Sequence, residues 1–190
     1  RGDQIQDRPL TELEGKDFFV AELDRALLAG ETDITVHSLK DLSTERPSEL
    51  CLAAVPPRYT PHDVAIFAPE VFQGGKKPHA LSIGTGSPRR KACIEKHLPA
   101  LLPHEGQMPQ VACAPIRGNV ETRLKRLYEP SERFPQVDGV VLALAGLERL
   151  WAHAKTREVL APLLQNTHLM VLPLPLFPTA PGQAALALEC

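Results

Sequence analysis

The sequence predicts an α/β fold, and three observations predict it. Short runs rich in Val, Ile and Ala alternate along the chain with amphipathic stretches, the order from which α/β units are built. Several of those runs end in dense polar or cationic clusters, as strand carboxyl ends do in open α/β sheets, where ligands bind. A stiff connection, Pro56, Pro57 and Pro61 around Arg58-Tyr59-Thr60, then supplies a crossover or hinge between two parts of the chain.

Composition narrows the class. The 190 residues suffice for one large or two small domains. With 43% hydrophobic residues, 23% charged and a net charge of -2, the chain reads as an ordinary globular protein rather than a disordered one. Binding a phosphate backbone needs a basic excess that this balance lacks, so nucleic acid is not an expected partner. Cys51, Cys93, Cys113 and Cys190 are widely spaced and form no metal-ligand pattern. Free thiols in a reducing cytoplasm are expected, although an even count leaves disulfides open. No apolar run approaches membrane-spanning length and the N-terminus shows no hydrophobic signal core, so a cytoplasmic location without a membrane partner is expected.

The elements follow in order. Residues 1–9 read as a polar loop. Apolar positions at Phe19, Leu23, Ala26 and Leu27 predict an amphipathic helix over 18–28, stopped by Gly30. Ile34-Thr35-Val36 predicts a short buried strand, which runs into His37-Ser38-Leu39-Lys40-Asp41. Residues 50–55 and 63–68 are further strand-like runs. Leu81-Ser82-Ile83-Gly84 is another, followed by a turn in which Ser87 caps a helix whose first residue is Pro88. Arg89 and Arg90 in that first turn oppose the helix dipole, a cost that makes sense if an anion sits nearby; the alternative is a surface helix start whose arginines point into water. A strand over 111–116 delivers Arg117-Gly118-Asn119 to a helix over 120–128. Residues 137–144 form a buried strand, and 153–164 one more helix. Trp151, a single instance beside a leucine, is read as a packing residue. Residues 171–178 are proline-rich, and 184–190 look helical.

Strand ends therefore gather Ser38, Lys40 and Asp41, then Ser87, Arg89 and Arg90, then Arg117, Asn119 and Arg123, with Arg149 further on. Guanidinium groups bind carboxylates bidentately, so this set suits a substrate bearing several carboxylates. The aspartate is then available as an acid/base or as stabiliser of a developing cation. No phosphate-cradling loop or dinucleotide fingerprint is present, which disfavours nucleotide chemistry.

Five segments give a specific resemblance: Val36-His37-Ser38-Leu39-Lys40-Asp41, Gly84-Thr85-Gly86-Ser87-Pro88-Arg89-Arg90, Arg117-Gly118-Asn119-Val120-Glu121-Thr122-Arg123, Ala145-Gly146-Leu147-Glu148-Arg149-Leu150 and Ala180-Pro181-Gly182-Gln183. In this order they resemble the porphobilinogen deaminase (hydroxymethylbilane synthase) family, and Gly15-Lys16-Asp17-Phe18-Phe19-Val20 resembles its early glycine-lysine stretch. The resemblance implies a transferase of tetrapyrrole (heme) biosynthesis, which condenses four porphobilinogen molecules head-to-tail into hydroxymethylbilane with release of ammonia. It implies a covalently held dipyrromethane cofactor on which the oligopyrrole grows. Asp41 would be the catalytic carboxylate, assisted by Lys40. Ser38, Lys16, Ser87, Arg89, Arg90, Arg117, Arg123, Arg149 and Gln183 would bind substrate and cofactor, with Thr85, Gly86 and Gly118 giving backbone contacts. No metal is implied.

The sequence also departs from the family pattern. The family's cofactor hangs from a cysteine in a third, C-terminal domain, and none of the four cysteines here occupies that position. An N-terminal strand with a cofactor-binding arginine and serine would precede Arg1. Ala21 replaces a usual lysine, Gly86 stands where serine is common, and Ala184 follows Gln183 where glycine is usual. The first two of these departures point to one fragment of a longer polypeptide, or to a chain completed by other segments as partners. The fold implied is two α/β lobes with mixed sheets, resembling type II periplasmic binding proteins. Residues 1–60 with 171–190 would form lobe one and 61–170 lobe two, with the active site in the cleft between them. The competing function is a catalytically silent carboxylate-binding module of the same fold. The Lys40-Asp41 pair favours the enzyme, because a pure carboxylate binder gains nothing from a buried negative charge.

Overall fold

The computed structural model describes residues 20–190. The chain divides into two compact units, Arg1–Pro61 with Ala180–Cys190, and His62–Thr179. In chain order the elements are α1 (Ala21–Leu28), β1 (Thr35–Ser38), β2 (Leu52–Ala54), β3 (Asp63–Phe67), β4 (Ala80–Gly84), α2 (Pro88–Leu101), β5 (Gln110–Ala114), α3 (Val120–Lys125), β6 (Gly139–Ala143), α4 (Leu144–Ala152), α5 (Ala154–Leu164), β7 (His168–Val171) and β8 (Leu186–Glu189).

The first unit is built on a three-stranded sheet of order β1-β8-β2, antiparallel throughout. Gly30 ends α1 as expected: at φ +67 it lets its own N–H reach Leu27 and that of Glu31 reach Ala26. Two expectations are corrected here. β1 is not an apolar buried strand; Thr35 and His37 face inward while Val36 is 58% exposed. Period-2 alternation puts one set of side chains on each face, and the inward face of this sheet is claimed by charge pairing rather than by aliphatic packing. Residues 184–190 are not helical either. Ala184 has φ +70, and β8 then pairs with both β1 and β2, turning Ala187 and Glu189 inward. The Ala and Leu content that suggests a helix is a weak preference. It yields where two neighbouring strands each offer a row of backbone partners.

The second unit is a mixed five-stranded sheet of order β5-β4-β6-β3-β7, with helices on both faces. β4 runs parallel to β5 and β6, and β3 is antiparallel to β6 and β7. β3 is buried along its whole length because its two faces serve two cores. Val64 and Ile66 join Val140, Leu142, Leu124, Leu147 and Leu160 on one side. Ala65 and Phe67 join Val141, Ile83, Ile94, Leu98 and Phe177 on the other. Each fully buried aliphatic or aromatic side chain stabilises by about 1.5–3 kcal/mol. The returning segment, expected from residue 171, rejoins the first unit only at Ala180. Before that, the Leu172 N–H bonds the Asp63 carbonyl at 2.9 Å and Phe177 is 1% exposed within the second core. Trp151, read as a packing residue, is 40% exposed on α4. Among the described residues no helix is long and apolar enough to cross a membrane.

Gly139 sits where β6 crosses between β3 and β4. A Cβ there would lie 2.9 Å from Phe67 Cδ1, 3.0 Å from Ile83 Cδ1 and 3.3 Å from the Ile66 carbonyl oxygen. Gly139→Ala should therefore lower unfolding stability by about 1–3 kcal/mol through overpacking. Denaturant melts check this, and an unchanged midpoint would show that the sheet relaxes around the methyl group.

Candidate functional site

In the second unit the site begins at the carboxyl ends of β4 and β5. The chain leaves β4 through Gly84, and Thr85 donates its N–H to the Ala114 carbonyl at 2.9 Å. Thr85 Oγ1 accepts the Ser87 N–H at 3.2 Å, and Ser87 Oγ accepts the Arg90 N–H at 3.4 Å, so Ser87 caps α2 with Pro88 at its first position. Both features are those expected from the sequence. Arg90, Ile94 and Leu98 are all buried at four-residue spacing, which places Arg90 on the core stripe of α2.

The anion that compensates the two arginines is a side chain the sequence reading missed. Asp63, 0% exposed at the start of β3, receives Arg89 Nη2 on Oδ2 at 2.9 Å and Arg90 Nη2 on Oδ1 at 2.8 Å. Arg89 also bonds the Pro178 carbonyl, and Arg90 Nη1 reaches that of Val141 at 3.4 Å. Arg90 Nε remains buried with no partner among the described residues. The available signal was the requirement that a buried guanidinium be paired, which two adjacent arginines in a helix's first turn already raise.

The second strand end follows the same plan. Gly118 takes φ +102, and Asn119 Oδ1 caps α3 by accepting the Thr122 N–H at 2.9 Å. Arg123 folds back to donate Nε to the Gly118 carbonyl at 2.8 Å. Burial, together with the charges of Arg90 and Arg117, lowers the Arg123 guanidinium below its ordinary value. Arg90 and Arg117 therefore act on Arg123 as like charges. Arg149 lies not at a strand end but in the last turn of α4, where its Nη1 is buried without a partner among the described residues. A groove of about 480 Å³ at the opposite, amino ends of β4 and β5 is lined by Ser82, Gln110 and Asp138 among others. It holds no cation, and Asp138 Oδ2 already accepts the Ser82 N–H at 2.7 Å, so an anionic ligand has nothing to bind there.

In the first unit Leu39-Lys40-Asp41 forms a single 3-10 turn after β1. Lys40 and Asp41 are exposed and Ser38 half-buried, which corrects the expectation of a buried carboxylate. Gly182, at φ +67, is packed against this turn; a Cβ on it would lie 2.9 Å from Leu39 Cγ and 3.1 Å from the Lys40 nitrogen. Gln183 is 1% exposed, donates Nε2 to the Pro61 carbonyl at 2.7 Å, and lends its own carbonyl to Arg58 Nε at 2.8 Å. Lys16 lies outside the described residues. Beneath the sheet, Arg46 bridges Asp24 at 2.6 Å and Glu189 at 2.8 and 2.9 Å, and His37 Nε2 stands 3.3 Å from Glu189 Oε2. The ligand atoms of Asp24, His37 and Glu189 lie within 4.8 Å of one another, a cation-sized spacing. Arg46 already supplies the positive charge.

Comparison with known proteins shows the family. The family described as porphobilinogen deaminase, dipyromethane cofactor binding domain, matches residues 1–190. The chain belongs to that family. It is 37% identical over 189 residues to a porphobilinogen deaminase of Sorangium cellulosum, covering 100% of this chain and 54% of the relative. Similar relatives of that name occur in Lawsonia intracellularis, 38% identical with 52% of the relative covered, and Acidothermus cellulolyticus, 39% identical with 49% covered. In both, the match spans all of this chain. The chain thus spans about half the length of the curated relatives it matches.

Family membership gives meaning to two departures. A Cβ on Gly86, where serine is common, would lie 2.9 Å from the Ile116 carbonyl oxygen, so glycine lets this turn run tight against the chain leaving β5. Ala184, where glycine is usual, sits in the left-handed region at φ +70. Left-handed backbone costs a non-glycine residue about 1–2 kcal/mol, against about 0.4–1 kcal/mol of added chain entropy for glycine. Ala184→Gly should raise stability by about 0.5–1 kcal/mol, read as a higher denaturant midpoint; a lower midpoint would count against the strain. Removing the counter-charge at Asp63 should do the reverse. Asp63→Ala leaves Arg90 buried and unpaired, with an expected loss of about 3–5 kcal/mol. A loss under about 1 kcal/mol in the same melts would show that the clamp is not holding the second unit together.

Proposed function

We propose that this chain carries the substrate-handling part of a porphobilinogen deaminase, which joins four porphobilinogen molecules head-to-tail into hydroxymethylbilane with release of ammonia. The observation that carries the reading is the gathering of arginines beyond the carboxyl ends of β4 and β5, where Arg123 is buried and feels the charges of Arg90 and Arg117. Asp63 holds Arg90, but Arg117 and Arg123 add positive charge that this carboxylate does not offset, which favours anions from outside. Each pyrrole of the substrate brings an acetate and a propionate, so a growing oligopyrrole supplies them in number. The unpartnered Nη1 of Arg149 and Nε of Arg90 are donors of the kind a polycarboxylate satisfies.

The same test supports the fit to dipyrromethane, which also bears several carboxylates. Arg89, Arg90, Arg117, Arg123 and Arg149 would hold it, with Ser87 and the backbone of Thr85, Gly86 and Gly118. When bound, the dipyrromethane supplies the primer to which pyrroles are added. Asp41 is read as the carboxylate that holds the pyrrole N–H and opposes the positive charge developing as ammonia leaves. Lys40 beside it would orient a substrate carboxylate, and Ser38 would add a hydrogen bond. Gln183 is read as a positioning residue, since its side-chain Nε2 is held by the Pro61 carbonyl and its backbone carbonyl by Arg58. The two units are read as two lobes of a fold resembling type II periplasmic binding proteins, and the segments beyond this chain as the source of the cofactor's attachment. A soluble, cytoplasmic enzyme of heme biosynthesis is the corresponding setting.

The exposed acidic group at Asp41 separates this reading from a silent carboxylate binder, which has no use for it. In the full polypeptide, Asp41→Asn should lower the rate of porphobilinogen consumption by roughly 10²–10⁴-fold while oligopyrrole binding is largely retained. Intact mass should rise in single-pyrrole steps with the unsubstituted protein and stall with the variant. Full turnover by the variant would remove Asp41 from the mechanism, and no mass steps in either protein would favour the binding module.

A further inference from the structure

Two of the four cysteines meet across the small sheet of the first unit. The Cys51 N–H donates to the Cys190 carbonyl at 2.8 Å, and the Cys190 N–H donates to that of Cys51 at 3.1 Å. The pair continues the register of Leu52 opposite Glu189. Residues that exchange both backbone bonds in an antiparallel ladder have Cα atoms about 5.5 Å apart and side chains on one face. That separation falls inside the range of about 4.4–6.8 Å that a disulfide spans. Both residues are exposed and carry free thiols.

We propose that Cys51 and Cys190 form a redox-reversible disulfide that ties the start of β2 to the end of β8. The backbone bonds already hold the two residues opposite each other, so little chain entropy remains to be lost on closure. Exposed disulfides are the readily reduced ones, and both residues are exposed, which makes this a switch rather than a permanent staple. A small-molecule disulfide such as oxidised glutathione serves as oxidant. One cysteine thiolate attacks it, breaking its S–S bond and expelling one glutathione thiolate. The second cysteine thiolate then attacks the protein sulfur of the mixed disulfide and expels the other. The two protein thiols lose two electrons and two protons, and the oxidant becomes two reduced glutathiones. Cys93 and Cys113 are only partly exposed, and burial pushes the Cys113 thiol up to about 11, so it remains a poor nucleophile. Closure would hold β2 on β8, the strand whose Glu189 anchors Arg46.

The test is to incubate the purified polypeptide with oxidised glutathione, alkylate the remaining thiols and map the peptides by mass. The expected product is a Cys51–Cys190 peptide pair lighter by two hydrogens, absent from Cys51→Ser, where Cys190 should instead carry a glutathione adduct. Excess reduced glutathione should reopen the link. Separate adducts on Cys51 and Cys190 without a link, or a link through Cys93 or Cys113, would overturn the pairing. A Cys51–Cys190 link that resists excess reduced glutathione would overturn the switch.

Discussion

The second unit depends on one buried carboxylate. Asp63 is fully enclosed at the first position of β3 and takes one oxygen to Arg89 and the other to Arg90. A lone carboxylate there would cost several kcal/mol of desolvation, and so would the buried Arg90. Together they satisfy each other and lock the first turn of α2 to β3, an inner strand of the sheet. The turn of residues 84–87 is thereby held at the carboxyl end of β4, with Ser87 capping the helix. This is why two arginines are tolerated where the helix dipole disfavours them: a carboxylate on a different strand pairs with both and offsets part of their charge.

The remaining arginines are not neutralised in this way. Arg117 and Arg123 add charge beside Arg90, and the Arg123 guanidinium is lowered by burial first and by that company second. Folding has therefore concentrated positive charge at strand ends beyond what the Asp63 carboxylate offsets. An anion bound there would relieve repulsion already present in the fold. Pre-organised cations of this kind bind without the reorganisation that flexible side chains in water require.

The first unit solves a related problem differently. Its sheet turns Thr35, His37 and Glu189 inward, and Arg46 closes the network between Glu189 and Asp24. An ion-paired interior needs all its partners in place, which ties α1, β1, β8 and the loop bearing Arg46 to one another. The Leu39–Asp41 turn then leaves that sheet with Gly182 packed against it, so the position of Lys40 and Asp41 is set by backbone contact rather than by side-chain pairing. Both groups consequently keep their polar atoms outward.

The sequence alone determined what is local. Strands at 63–68, 81–84 and 111–116, the Ser87–Pro88 helix start and the Gly30 stop follow from propensity and capping, which act over a few residues. Candidate residues clustered in motifs could be named for the same reason, since Thr85, Ser87, Arg89, Arg90, Gly118 and Arg123 sit in two short segments. Only the tertiary structure decided the long-range partners. Asp63 with Arg90 and Arg46 with Glu189 are separated by 27 and 143 positions, and no periodicity reports such a pairing. The inward face of β1 and the strand at 186–189 belong to the same class. There, local preference pointed to an apolar strand and a helix, and the charge pairs and two waiting strand edges outweighed it.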